Sequence, residues 1–425
     1  MRTVFQNCTL LDGTEQMSPR PGTDVAIEND RIAQIGKITP NKGDRVVDLT
    51  GKYLMPGLIN LHVHLPAGGK PQNKPMNTNR LTKIALSSGL SRALVLRMCH
   101  AYAMQGLLSG VTTVRAVGGL DNLDTRLRDR IHAGKLDGPR ILAANYAIGV
   151  PHGHMVGSVT HPAETVEDAV RMVDQLHGQN VDLIKLMITG GVMDAKVKGE
   201  PGRLMMQADM IKACCDRAHS YGLKVAAHVQ SPEGVRTAVL NGVDSIEHGA
   251  KPDADILRLF RERGAFQIST ISPAVPYALF DRSISHATYE QQENGRVVFE
   301  GIVALAKACL ENGIPVGLGT DTGCPYITHY DMWRELCYFV KYCGVTPAFA
   351  LYSATLLNAE LAGIADVTGS VEAGKAADLI VCDKDPLADL TALRSLHMVI
   401  RDGLRIEHPS VKKMPEVERE LDKFL

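Results

Sequence analysis

The sequence predicts an α/β protein: a (β/α)8 TIM-type barrel with a small β-sandwich domain formed from both chain ends. Three observations predict it. Between about residues 57 and 363, short apolar runs alternate with amphipathic helical segments, the texture of βα units around a parallel sheet. The runs number eight, at 57–63, 112–117, 140–144, 183–188, 224–228, 245–248, 265–268 and 315–319, and eight strands close a barrel. Both chain ends differ from this middle, being built of short β-rich runs broken by turn residues.

The N-terminal runs are 3–11, 25–28, 31–35 and 46–49. Their counterparts near the other end are 377–383 and 398–401, the latter followed by the turn Asp402-Gly403. Segments 1–55 and 364–410 are therefore expected to assemble one composite sandwich, 56–363 the barrel, and 411–425 a helical tail. Within the barrel, helices are expected at 165–176, 208–221, 232–241, 253–263 and 297–312. Two long stretches, 66–81 and 273–294, follow strand ends and read as loops, where a barrel enzyme contacts its substrate.

Composition narrows the function classes. A chain of 425 residues, 45% hydrophobic and 22% charged with 39 Gly and 21 Pro, has material for a large core and the turn content of a loop-rich enzyme. Lys and Arg total 46 against 47 for Asp and Glu, with no long basic run, so nucleic-acid binding has no electrostatic footprint. No stretch of about 18 apolar residues occurs and the first residues lack a signal-peptide core, so no membrane partner and a cytoplasmic location are expected. The nine cysteines contain no Cys-x-x-Cys pair and read as core thiols; Cys324, three residues beyond Asp321, is the one placed to line a site.

The chemistry concentrates at strand ends. His62-Val63-His64 closes the first barrel strand, and alternate residues of a strand face one side, so both imidazoles can reach one metal. Lys185 sits inside the apolar run 181–188, where an inward ammonium is costly unless paired or chemically changed. His228 ends Val225-Ala226-Ala227-His228, His248 ends Ser245-Ile246-Glu247-His248, and Asp321 follows 316–320. Singly each has an ordinary reading as an incidental or paired polar residue. Six such residues on five strands of one barrel point to a metal site.

With these motifs the chain resembles the amidohydrolase superfamily, in its imidazolonepropionase-like and prolidase-like (Xaa-Pro or Xaa-Arg type) dipeptidase branch. The likeness extends over nearly the whole chain to Gly374-Lys375-Ala376-Ala377-Asp378-Leu379-Ile380, similar to the family's C-terminal sandwich signature. It implies two divalent ions per chain, zinc being the ion that suits imidazole ligands. His62, His64 and Asp321 would hold the first and His228 and His248 the second. Lys185, carboxylated by CO2, would bridge them, since a carbamate turns a buried cation into an anionic ligand. The implied nucleophile is a metal-bridging hydroxide, with Asp321 as general base and then general acid, acting on a carboxamide C–N bond of a dipeptide or N-acyl amino acid. Relatives often form homo-oligomers, so a homo-oligomer acting on a small molecule is expected.

The remaining candidates concern substrate. In the family a histidine of the third loop touches substrate, which makes His154 and its neighbour His152 candidates. Gln230 stands where peptide-cleaving relatives often carry Tyr to polarise the carbonyl, so its reach differs. Arg236 is a possible bidentate clamp for a substrate carboxylate. Asn60 replaces a common Asp. Glu247 is expected to face away from His248 as a structural acid, and the other histidines, including His329, read as ordinary polar residues. Two competing readings are a mononuclear deaminase or cyclic-amide (imidazolone-type) hydrolase and a non-catalytic ligand-binding barrel. The first usually has His-x-x-Glu after strand five, where this chain has Ser231, and the second usually loses ligands, of which none is missing.

Overall fold

Parallel strands ring the centre of the computed structural model, which describes residues 2–72, 77–195 and 197–425. Part of the expected 66–81 loop, residues 73–76, lies outside the described residues. The chain opens with β1 (Arg2–Leu10), β2 (Arg20–Glu28), β3 (Arg31–Gly36), β4 (Arg45–Asp48) and β5 (Tyr53–Pro56). There follow β6 (Leu58–Val63), β7 (Val111–Ala116), β8 (Arg140–Ala143), β9 (Ala147–Gly149) and β10 (Thr160–Pro162). Next come β11 (Leu183–Met187), β12 (Lys224–Val229), β13 (Ser245–His248), β14 (Phe266–Ser269) and β15 (Val316–Leu318). The last strands are β16 (Leu379–Cys382), β17 (Leu396–Arg401) and β18 (Leu404–Glu407).

The expected barrel runs all become strands, and most are buried on both faces, inside against their neighbours and outside against helices; β6, β7 and β11 are buried throughout, while β8 alternates. Together with the short, unexpected β9 and β10 they form two parallel sheets, β6-β7-β8 and β10-β9-β11-β12-β13-β14-β15. Asp182 N donates to Ala143 O at 2.8 Å across one seam, and Asp321 N donates to His62 O at 2.8 Å across the other. The strands thus follow one another around a ring.

Local chemistry sets the helices. Thr165 and Asp168 form a capping box before Val166–Gly178, Ser231 caps Pro232–Leu240, and Asp253 caps Ala254–Arg263, which ends on left-handed Gly264. One expectation is corrected. The stretch 273–294 is largely helical, with Ala274–Leu279, Arg282–Ser285 and the start of Tyr289–Glu311, which begins well before residue 297. Its polar first turns carry no apolar stripe, but Thr288 and Gln291 make the capping box that starts it.

The two chain ends share one mixed sheet, ordered β18-β17-β16-β5-β1-β2-β3 with β4 paired to β1. They meet where β5 pairs parallel to β1 and antiparallel to β16, with Met55 opposite Ile380. The sheet buries its own cluster, including Phe5, Leu10, Val25, Leu54 and Leu379. The tail helix Pro415–Leu421 is tied down by Arg334, almost fully buried, which pairs with Asp331 (3.0 Å), Glu418 (3.2 Å) and Asp422 (2.6 Å). Among the described residues no helix is long and apolar enough to cross a membrane.

Candidate metal centre and substrate mouth

Five of the six expected ligands gather at the C-terminal ends of β6, β12, β13 and β15, and the sixth, Lys185, lies within β11. His62 donates from Nδ1 to Glu247 Oε2 at 2.6 Å, and His64 donates from Nδ1 to the Gly118 carbonyl at 2.8 Å. Those bonds leave both Nε2 atoms turned to Asp321 Oδ1, at 3.4 and 3.1 Å. His248 is fixed by Thr270 Oγ1 at 2.7 Å, and one ligand atom each from His62, His248 and Asp321 lie within 4.8 Å of one another. His228 donates from Nε2 to the Gly190 carbonyl at 3.2 Å, which leaves Nδ1 as its free nitrogen, and its ring lies 4.7 Å from that of His248.

The electrostatics suit a cation. Burial pulls His62 down to about 4 and takes His228 and His248 well below the ordinary histidine value, so these imidazoles are neutral and hold a lone pair for a metal. Burial alone would raise the Asp321 carboxyl, but its close approach to His62, His64 and His248 holds it well below the usual range. Lys185 is fully buried, and its Nζ has no hydrogen-bond partner. Burial pulls it down to about 8, assisted by Arg115 and opposed by Glu247 and Asp321. An orphaned buried amine beside neutral imidazoles and one carboxylate fits a carbamate-bridged pair of cations.

Two residues of the cluster leave ordinary strand geometry. His248 (φ 67°) and Asp321 (φ 52°) occupy the left-handed region, which costs non-glycine residues energy and concentrates at functional sites. This corrects the expectation for Glu247. The backbone turn at His248 breaks the alternation of faces, so both side chains point to the cluster. Glu247 is a structural acid, buried between His62, Arg115 (2.7 Å) and Ser245 (2.7 Å). Arg115 was missed, although a charge inside the apolar run of β7 is the signal that marked Lys185; it also donates to the Leu61 carbonyl at 2.6 Å. Asn60 joins β6 to the end of β15 through Thr320, consistent with a residue that is not a ligand.

Of the substrate candidates, two reach the mouth. His154 stacks on His228 with centroids 4.2 Å apart and pairs through Nδ1 with Asp194. Gln230 is anchored by its backbone N–H to Thr189 Oγ1 at 3.0 Å, and its buried Oε1 has no partner. Both approach Gly191, where a Cβ would come 2.9 Å from the His154 ring and 3.5 Å from that oxygen. His152 is exposed. Arg236 is not brought to the cluster: it pairs with Asp253 at 2.5 Å in the outer helix layer, as a residue in mid-helix with a carboxylate on the neighbouring cap will do. The Cys324 thiol donates to Asp321 Oδ2 at 3.6 Å, and burial raises it well above the ordinary value. His329 is 4% exposed and bonded to the Ala67 carbonyl at 2.8 Å, beneath the loop after β6. A recess of about 150 Å³, lined by Gln72, Met193, Tyr277, His286, Gln291 and Tyr326, opens beside the cluster. Tyr277 links the two: burial raises its hydroxyl, and Cys324 and Asp321 raise it further.

The model of the amidohydrolase family matches residues 53–406. Ochratoxinase of Aspergillus niger is 26% identical over 408 residues, 87% of this chain and 80% of the relative. Imidazolonepropionase of Fusobacterium nucleatum is 24% identical over 408 residues, 86% of each. Among solved structures, a Bifidobacterium longum protein provisionally assigned as a prolidase superposes with a TM-score of 0.87 at 34% identity, covering 99% of this chain and 98% of that one. A Xaa-Pro dipeptidase with methionine bound in its active site gives a TM-score of 0.83 at 29% identity, covering 96% and 100%. A family match over residues 53–406, which takes in the whole ring and the β5, β16 and β17 strands of the shared sheet, makes this chain an enzyme of the amidohydrolase family.

Proposed function

We propose that the protein is a metal-dependent hydrolase that cleaves the carboxamide C–N bond of a dipeptide or N-acyl amino acid at a binuclear centre. The observation that carries this reading is the fully buried Lys185 amine, without a hydrogen bond, amid neutral imidazoles and Asp321. His62, His64 and Asp321 would hold one ion, His228 and His248 the other, and carboxylated Lys185 both. Two zinc ions would supply Lewis acidity at the carbonyl and acidify a water.

The chain's own residues do the rest. Asp321 is ionised, faces both His62 and His64, and is the acid positioned to accept a proton from water and return it to the leaving amine. His154, stacked on His228, and Gln230, with a free amide oxygen at the same spot, orient the scissile amide. The recess under Tyr277 and Met193 takes the substrate's side chain and limits water. In this reading 1–55 and 364–410 form a supporting sandwich, 56–363 the catalytic barrel and 411–425 a bracing tail. Ser231, where a mononuclear relative would have Glu, is occupied as a helix cap, accepting from Gly234 N at 3.2 Å.

The test is amine release from a panel of dipeptides with varied C-terminal residues, N-acyl amino acids and cyclic amides, using protein replete with zinc. Release from linear carboxylate-bearing amides, lost in Lys185→Ala and partly restored by small carboxylates, is the expected result. Turnover confined to cyclic amides, or ammonia release, would select the mononuclear alternative instead.

A further inference from the structure

The mouth of the site contains an acid that no motif marks. Asp194 sits in the loop after β11, 40 residues from His154 in sequence, and its Oδ2 accepts from His154 Nδ1 and from the Gly191 backbone N–H at 3.1 Å. An ionised carboxylate has no proton to offer, so the hydrogen on the shared contact belongs to Nδ1 of the imidazole. Nε2 is then the nitrogen left for the substrate. The ring cannot turn freely, because it lies flat on His228, with an interplanar angle of 14°.

The loop that carries Asp194 is itself held. Asn294, fully buried in the helix Tyr289–Glu311, accepts from Gly199 N at 2.7 Å and donates to the Val197 carbonyl at 3.1 Å. Lys198 Nζ donates to the Tyr289 hydroxyl at 2.7 Å. The loop after β11 is therefore fastened to the first turns of the helix Tyr289–Glu311. Gly191 completes the arrangement, since any side chain there would strike the His154 ring.

We propose that Asp194 is a positioning residue for His154, fixing one tautomer and one ring orientation so that Nε2 faces the scissile amide. This rests on the reading of His154 as a substrate contact. A hydrogen-bonded partner of a functional histidine fixes tautomer and orientation, and its removal commonly costs about 10–100-fold.

The experiment is a double-mutant cycle on zinc-replete protein, using the fastest-cleaved dipeptide of the panel, together with long-range ¹⁵N NMR of His154, which needs no substrate. Asp194→Ala is expected to lower kcat/KM by about 10–100-fold. Asp194→Asn, which keeps an acceptor oxygen, is expected to restore most of it. Adding Asp194→Ala to His154→Ala should cost nothing more. The spectra should show Nδ1 protonated in the wild type and an averaged ring in Asp194→Ala. An Nε2-protonated tautomer in the wild type, or the same loss from Asp194→Ala on the His154→Ala background, overturns the role of Asp194 alone. Wild-type kcat/KM in His154→Ala overturns the reading of His154 itself, and the role of Asp194 falls with it.

Discussion

Glu247 Oε2 lies 2.6 Å from His62 Nδ1, and both side chains are essentially removed from solvent. The carboxylate thereby selects the tautomer that leaves His62 Nε2 free for a metal. Its other oxygen neutralises Arg115 at 2.7 Å. Glu247→Ala would strand a buried guanidinium, so a loss of about 3–5 kcal/mol in urea unfolding is expected. The same variant should bind zinc about 10–100-fold more weakly by competition titration. Unchanged zinc affinity would separate Glu247 from the centre.

Asp124 gives a pH dependence of known sign. It is fully buried beneath Gly119, neither carboxyl oxygen has a partner, and burial pushes it up to about 7, slightly opposed by His64. Its folded value thus exceeds the ordinary value of 3.8, so the fold prefers the protonated form. That contribution is fully present below about pH 4 and is lost as pH rises through 7. Stability measured relative to Asp124→Asn should fall across this window by on the order of 4 kcal/mol. A difference constant with pH would contradict it.

Arg334 is the fastening of the C-terminal tail. Replacing it with Met leaves Asp331 buried without its cation and frees Glu418 and Asp422, at an expected cost of about 3–5 kcal/mol. Limited proteolysis should then cut within 411–425 in the variant and leave that segment uncut in the wild type. Phe424 stacks on Phe280, 5.4 Å away, so the loop after β14 should be cut next.

Much of this was legible in the sequence, for identifiable reasons. Strands buried on both faces give unbroken apolar runs, and polar residues at strand ends interrupt them at a visible place, as His228 and His248 do. What stayed hidden had no periodic signal. β5 is four residues beside a turn, and β9 and β10 are three each. The orientation of Glu247 depends on a positive φ at His248. Asp194 reaches His154 only through folding of two separate loops, and Arg236 had a nearer partner in Asp253 than any substrate.

Asp321 separates metal binding from proton transfer. Asn keeps a ligand oxygen but cannot accept and return a proton, so Asp321→Asn should retain much of its zinc and lose about 10²-fold or more in kcat. Near-wild-type kcat with zinc content confirmed would leave Asp321 a ligand only.

The most direct test is anomalous diffraction at the zinc edge from crystals of zinc-replete protein. Two peaks per chain are expected, one near His62, His64 and Asp321 and one near His228 and His248, with density for a carboxyl group extending Lys185 between them. A single peak, or two full peaks beside a bare Lys185 amine, would contradict the carbamate-bridged pair.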